Sequence, residues 1–194
     1  MIIRWAALGS ALSGCFGAAG LTAAVTGSPP SAYVSEAGVP GAPHATLYAA
    51  SMVLLALSLA LLAVPARRAR WLIGASLLLA APMAATSGAV RCSPGCPLPP
   101  YDSPTVRDLV HAAAAIAALL LCALAILLYC LLPPPHRWTG WLGVLLAYPP
   151  LLLSAGGILF VGRSLFTGVT ERAALVAVSA WVVLTAVRHA REIS

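Results

Sequence analysis

The sequence contains no lysine, and charged residues of either sign are few. Eleven arginines and five acids give 194 residues a charged fraction of 8% and a formal net charge of +6. Soluble domains carry charge on about 25% of their residues. This chain therefore cannot cover a water-facing surface with charged side chains, and the mean hydropathy of +0.96 excludes an ordinary soluble protein.

Long uncharged stretches are present instead. Five have the roughly 20 residues that a helix needs to cross a bilayer, and a sixth is shorter, with an arginine at each end that can extend to the interface. They are rich in Ala and Leu and do not alternate in polarity, which excludes the strands of a membrane barrel. We predict an all-α, polytopic membrane protein that forms one domain, 1–194, with helices at about 5–27, 45–64, 71–90, 108–132, 141–162 and 171–189.

The arginines are distributed unevenly between the two sides of this arrangement. If the N-terminus is inside, seven arginines lie inside and four outside: Arg4, Arg67, Arg68, Arg70, Arg137, Arg188 and Arg191 against Arg91, Arg107, Arg163 and Arg172. The positive-inside rule then predicts cytoplasmic termini and a multi-pass protein of the cell membrane. The positive charge is thus a topology signal, and we expect no nucleic-acid partner because the chain contains neither a motif nor a domain for one.

The first apolar stretch contains a segment typical of lipoprotein cleavage sites. "LSGC", which ends at Cys15, fits such a site, but Arg4 is the only basic residue before it and the apolar run continues to Val25. We therefore expect a retained helix. Its small residues recur every four positions, which would let another helix approach closely; they are Gly9, Ser13 and Gly17, and Gly14 and Ala18.

Two of the five cysteines flank a turn in a loop predicted to be extracytoplasmic. Cys92 and Cys96 enclose Ser-Pro-Gly, and an oxidising exterior favours a disulfide between them. The alternative, a metal pair, would require closer spacing and further ligands. The other three cysteines fall in predicted helices, where they would pack as small apolar groups.

A faint internal repeat links the second and fourth helices. "HATLYAA…VPARRARWLIG" and "HAAAAIAA…LPPPHRWTGWLG" share a leading histidine, a proline 21 or 22 positions later, and a following Arg-Trp. A parallel repeat would relate two such hairpins by an axis along the membrane normal. Alternatively, every inner loop simply attracts Pro, Arg and Trp.

Charged and titratable residues gather where the second, fourth and sixth helices would begin, at the exterior face. The candidate polar cluster is His44, Arg107, Asp108, His111, Glu171 and Arg172. Such groups at membrane depth are functional-site candidates and usually face the bundle interior. We expect Asp108, His111 and Glu171 to meet across the fourth and sixth helices, with Arg107 or Arg172 balancing the acids.

Simpler roles are available to most of these residues. Asp108 could close a capping box with Thr105, and Glu171 could favour the dipole of its helix from the first turn. His44 could merely lie at the interface. His111 lies one turn deeper, and capping does not account for it.

Three segments resemble a known family. "SEAGVPGAPHATLY", "CSPGCPLPPYDSPTVRDLVHAAAA" and "TGVTERAALVAVSAW" are similar to the recurring segments of the bacterial membrane proteins grouped as domain of unknown function 998. The resemblance implies a six-helix, largely actinobacterial protein of the cytoplasmic membrane. It brings no established activity, so it identifies no catalytic residues, and the cofactor stays unknown.

Three functions remain open. The preferred hypothesis is a protein that binds or transports a small molecule or lipid headgroup at its extracytoplasmic face, where helix N-termini and outer arginines would suit an anionic group. The second is an intramembrane hydrolase, dependent on a metal in one version, with His44, Asp108, His111 and Glu171 as ligands or acid/base groups. The third is a structural or accessory subunit in which the cluster holds helices together.

Overall fold

Six long helices form a closed ring in the computed structural model, which describes residues 1–192. Each helix packs on the next one in sequence, and the sixth packs on the first. Within the described residues there is no strand. The predicted all-α fold with six membrane-length helices is therefore confirmed. The helices are α1 Ile2–Ala24, α2 Ala45–Ala69, α3 Trp71–Ala89, α4 Val106–Cys130, α5 His136–Phe160 and α6 Leu165–Glu192.

Several helices extend beyond their uncharged stretches. The structure starts α5 at His136 rather than 141 and α6 at Leu165 rather than 171. The start of α6 is set by Ser164, whose hydroxyl accepts a hydrogen bond from the backbone N–H of Thr167 at 3.2 Å, because serine satisfies the free donors of a first turn. Helix α2 continues through Pro65 to Ala69.

The connections differ between the two ends of the ring. At one end, only Arg70 separates α2 from α3, and residues 131–135 join α4 to α5. At the other end lie the first loop (residues 25–44), the disulfide loop (residues 90–105) and residues 161–164. A 3-10 helix, Val34–Gly38, lies within the first loop and contacts α2 and α6. We call this end the capped end and the opposite one the arginine-rich end.

Small residues bring α1 against α2. The hydroxyls of Ser10 and Ser58 each donate to the other's backbone carbonyl at 2.8 Å. A Cβ at Gly17 would lie only 3.0 Å from the backbone nitrogen of Leu55, so a larger residue would force the helices apart. The four-residue spacing of small residues in α1 therefore serves a close helix contact, as the sequence predicts.

The half of the ring near the arginine-rich end is filled by side chains. Trp181 is fully buried and its ring meets that of Tyr129 edge-on, with centroids 5.5 Å apart. The indole N–H donates to the carbonyl of Thr139 at 3.0 Å, and the Tyr129 hydroxyl lies 2.8 Å from Nε2 of His189. This packed layer joins α4, α5 and α6 near the arginine-rich end.

The outward faces of the helices carry large exposed apolar side chains. Leu120, Leu145 and Phe160 are exposed by 65%, 72% and 81%. Contiguous apolar surface of this kind is rare on soluble proteins and typical of a membrane contact. The bilayer is therefore the partner of this outer surface.

Candidate functional site

A cavity of about 150 Å³ occupies the capped half of the ring. All six helices contribute to its wall, together with the 3-10 helix and the disulfide loop. Most of the lining is apolar. Its polar lining residues are Tyr33, Ser35, Tyr48, Ser58, Ser87, Asp108, His111, Glu171 and Ser179. The ring thus holds a mainly apolar chamber with a few convergent polar groups, the common form of a small-molecule site.

Asp108 joins α4 to the disulfide loop and is only 1% exposed. Its Oδ2 accepts from the backbone N–H of Thr105 at 2.8 Å and from that residue's hydroxyl at 2.7 Å, which completes the predicted capping box. Its Oδ1 accepts from the backbone N–H of Ser93 at 2.6 Å, and Oδ2 also accepts from the Ser93 hydroxyl at 3.1 Å. Asp108 therefore both caps a helix and holds a loop over the cavity.

His111 caps the C-terminal end of α3. Its Nδ1 lies 2.8 Å from the carbonyl oxygen of Ser87 and 2.8 Å from that of Val90. Both partners are acceptors, so Nδ1 must carry a proton, and in the neutral ring Nε2 is then an acceptor. No group among residues 1–192 is hydrogen-bonded to Nε2, and the ring lines the cavity. His111 thus presents an acceptor nitrogen to a ligand.

Glu171 joins α6 to the first loop. Its Oε2 accepts from the backbone N–H of Val34 at 3.0 Å, and no other group in the described part of the chain donates to its carboxylate. Because α6 begins at Leu165, Glu171 lies in the second turn, and the expectation that it favours the dipole from a first turn is wrong. The carboxylate lines the cavity with one oxygen left for a ligand.

An ion pair fastens the first loop to the connection between α5 and α6. Arg163 donates from Nε to Oε1 of Glu36 at 2.8 Å and from Nη2 to Oε2 at 2.9 Å. These hydrogen bonds raise the pKa of Arg163. Oε1 of Glu36 also accepts from the backbone N–H of Tyr33 at 2.8 Å. Glu36 thus fixes both the loop itself and its position.

Tyr33 and Tyr48 line the cavity beneath the first loop and were not singled out from the sequence. Burial, followed by the nearby carboxylate of Glu171, raises the pKa of Tyr33 to about 12. Its phenol therefore keeps its proton at physiological pH. A Cβ on Gly38 would collide with the ring of Tyr48, so glycine is required where the loop crosses α2.

Arg172 binds backbone carbonyls of the first loop. Its Nη1 donates to the carbonyls of Pro30 at 3.0 Å and Ala32 at 2.9 Å, as well as to Gly168 of its own helix at 2.9 Å. Its Nη2 donates to the carbonyl of Pro29 at 3.1 Å. The guanidinium is therefore an anchor for the first loop.

The predicted polar cluster is only partly brought together. Asp108, His111 and Glu171 line one cavity, but His111 bonds to carbonyls where the sequence predicted an acid. His44 is exposed at the N-terminus of α2 and Arg107 is exposed on α4. Neither lines the cavity.

The predicted disulfide is confirmed. Cys92 and Cys96 are bonded to each other, with Cα atoms 5.1 Å apart, and both line the cavity. Gly95 and Cys96 have positive φ of 81° and 45°, which form the tight turn between them. Across residues 1–192, no group of three or more His, Cys, Asp or Glu side chains is placed to hold a metal ion.

A family model described as "Protein of unknown function (DUF998)" matches residues 5–188. The chain belongs to this family. No curated protein and no solved structure matches the chain. This member of the DUF998 family forms a six-helix ring with a cavity at its capped end.

Proposed function

We propose that this DUF998 protein binds a small amphiphilic molecule in the cavity at the capped end. The observation that carries the proposal is the combination of a mainly apolar chamber with two acceptors, Nε2 of His111 and one oxygen of Glu171. An engineered apolar cavity of comparable volume binds benzene. A ligand with an aromatic or short aliphatic body and one polar group therefore fits.

The polar group favoured by this lining is a hydrogen-bond donor. The wall contains two acidic residues, Asp108 and Glu171, and no arginine is among the lining residues of the cavity. An anionic group would meet like charge there, which disfavours the anionic ligand expected from the outer arginines. An amine or a hydroxyl would instead meet acceptors.

The proposal is tested with three probes that share a fluorinated aromatic ring and differ in the polar group. Binding of 4-fluorobenzylamine, 4-fluorobenzyl alcohol and 4-fluorobenzoate to the protein in nanodiscs is measured by ¹⁹F NMR. The amine and the alcohol should bind and the carboxylate should not. Tighter binding of the carboxylate would contradict a donor-selecting site.

Substitutions at two alanines of α4 test where the probe binds. Ala115 lines the cavity, whereas Ala113 is exposed on the outer face of the same helix. Ala115→Phe should abolish binding by filling the chamber, and Ala113→Phe should leave the affinity unchanged. Equal binding by both variants would place the probe elsewhere. Glu171→Gln should weaken the amine more than the alcohol, because only the amine loses a charge interaction.

The hydrolase and the accessory subunit remain weaker alternatives. A hydrolase needs an activated nucleophile, and the hydrogen bonds of Asp108 go to Ser93 and Thr105, not to His111. An accessory role would leave the acceptors of His111 and Glu171 unused. The binding proposal accounts for both acceptors.

A further inference from the structure

A second hollow adjoins the cavity on the outer surface of the ring. This lateral groove has a volume of about 90 Å³ and lies between α1 and α6. Leu21, Val34, Leu175 and Ser179 line both the groove and the cavity. The two spaces therefore share part of their walls.

The groove faces the bilayer. Its remaining walls include Ala18 and Thr22 of α1 and Val176 of α6, and Val176 is 58% exposed on a membrane-length helix. Most of the lining is apolar. Arg172 lies at the end of the groove nearest the first loop, where backbone carbonyls of that loop hold its guanidinium. An apolar hollow on a lipid-facing surface is accessible to molecules dissolved in the membrane.

The aqueous side of the cavity is fastened by several charge-assisted hydrogen bonds. The first loop is held by Glu36 with Arg163 and by Glu171 with Val34, and the disulfide loop is held by Asp108. Opening that side would break these bonds together. Opening the groove would move apolar side chains such as Leu21 and Leu175, and side-chain rotation is far faster than loop rearrangement.

We propose that the lateral groove between α1 and α6 is the portal through which a membrane-dissolved amphiphile passes directly between the bilayer and the cavity. The ligand class is thus a molecule that partitions into lipid, as opposed to a water-borne solute. This inference rests on the proposed binding function and adds the route and the phase from which the ligand comes.

The experiment measures the exchange rate of the ligand and its binding affinity separately. A portal residue that does not line the cavity should change how fast a ligand exchanges and not how tightly it binds. Ala18 lines only the groove, and the neighbouring Ala19 is exposed outside it. Exchange of 4-fluorobenzyl alcohol with the protein in nanodiscs is measured by ¹⁹F saturation transfer, with the dissociation constant from titration.

Ala18→Trp should slow exchange by about ten-fold or more, which is an increase of about 1.4 kcal/mol in the barrier, with the dissociation constant unchanged. Val176→Trp, on the opposite wall of the groove, should have the same effect. Because Val176 belongs to α6, agreement between the two variants would show that the slower exchange does not come from a folding defect in α1. Ala19→Trp should behave like the native protein. Glu36→Gln, which loosens the aqueous side, should leave the exchange rate unchanged.

The outcomes distinguish the two proposals. Unchanged exchange in both groove variants, with faster exchange in Glu36→Gln, would overturn the portal and leave the binding function intact. Absence of binding of both the alcohol and the amine to the native protein would overturn the binding function and the portal with it.

Discussion

Asp108 and Ser93 are joined twice, through the backbone N–H of Ser93 at 2.6 Å and its hydroxyl at 3.1 Å. The same carboxylate caps the first turn of α4 through Thr105. A single buried acid therefore couples the start of a membrane-spanning helix to the disulfide loop above the cavity. Three acids at the capped end thus hold loops in place: Glu36, Asp108 and Glu171.

The first prediction concerns this coupling. Asp108→Ala removes four hydrogen bonds and should lower the free energy of unfolding by about 2–4 kcal/mol, since it deletes a helix cap and leaves the Ser93 donors unpaired. Unfolding in mixed micelles measures the change. Hydrogen exchange at the Ser93 amide should accelerate at the same time.

A matched acid provides the control. Asp102 is exposed in the disulfide loop, and Asp102→Ala should leave both the stability and the Ser93 exchange rate close to native. An equal loss in the two variants would mean that general charge, and not the Asp108–Ser93 contact, holds the loop.

The second prediction concerns the tautomer of His111. Because Nδ1 donates to the carbonyls of Ser87 and Val90, the neutral ring should carry its proton on Nδ1. Imidazole ¹⁵N chemical shifts of the neutral ring should show a protonated Nδ1 and an unprotonated Nε2. His44, which is exposed, serves as the reference ring with solvent access. Protonation of His111 on Nε2 alone would contradict both the cap and the ligand acceptor assigned to this residue.

The sequence predicts the spans and the local caps well, because both depend on neighbouring residues. Membrane-length apolar stretches determine the six helices, and Thr105 with Asp108 is a three-residue signal. The small-residue spacing of α1 is equally local. These features can be predicted without knowing which helices pack against each other.

The remaining contacts of the site depend on how the loops fold. Ser93 is 15 residues from Asp108, and Val34 is 137 residues from Glu171. No pattern within one segment marks such partners. The start of α6 differs from the predicted one because Glu171 and Arg172 bound the uncharged stretch in the sequence, whereas the helix begins at Leu165 and includes Gly168. A Cβ at Gly168 would collide with the carbonyl of Pro30.

The third prediction concerns the ion pair between Glu36 and Arg163. The pair forms two parallel hydrogen bonds, which is the geometry in which a partly exposed ion pair contributes most to stability. A double-mutant cycle with Glu36→Gln and Arg163→Gln should therefore give a coupling energy of about 1 kcal/mol. Because Arg163 is about half exposed, high salt should reduce this value. Strictly additive losses would show that the two side chains act independently.

The fourth prediction is the orientation of the ring. Helices alternate in direction around it, so the seven arginines counted as inner all belong to the arginine-rich end and the other four to the capped end. The positive-inside rule places the arginine-rich end in the cytoplasm.

Single cysteines at exposed loop positions test this orientation. Ser103→Cys lies at the capped end and Pro133→Cys at the arginine-rich end. In both variants Cys15, Cys122 and Cys130 are replaced by alanine and the disulfide is retained. An impermeant thiol reagent added to intact cells should label only position 103. Labelling of position 133 alone would invert the topology and would place the cavity, its first loop and its disulfide on the cytoplasmic side.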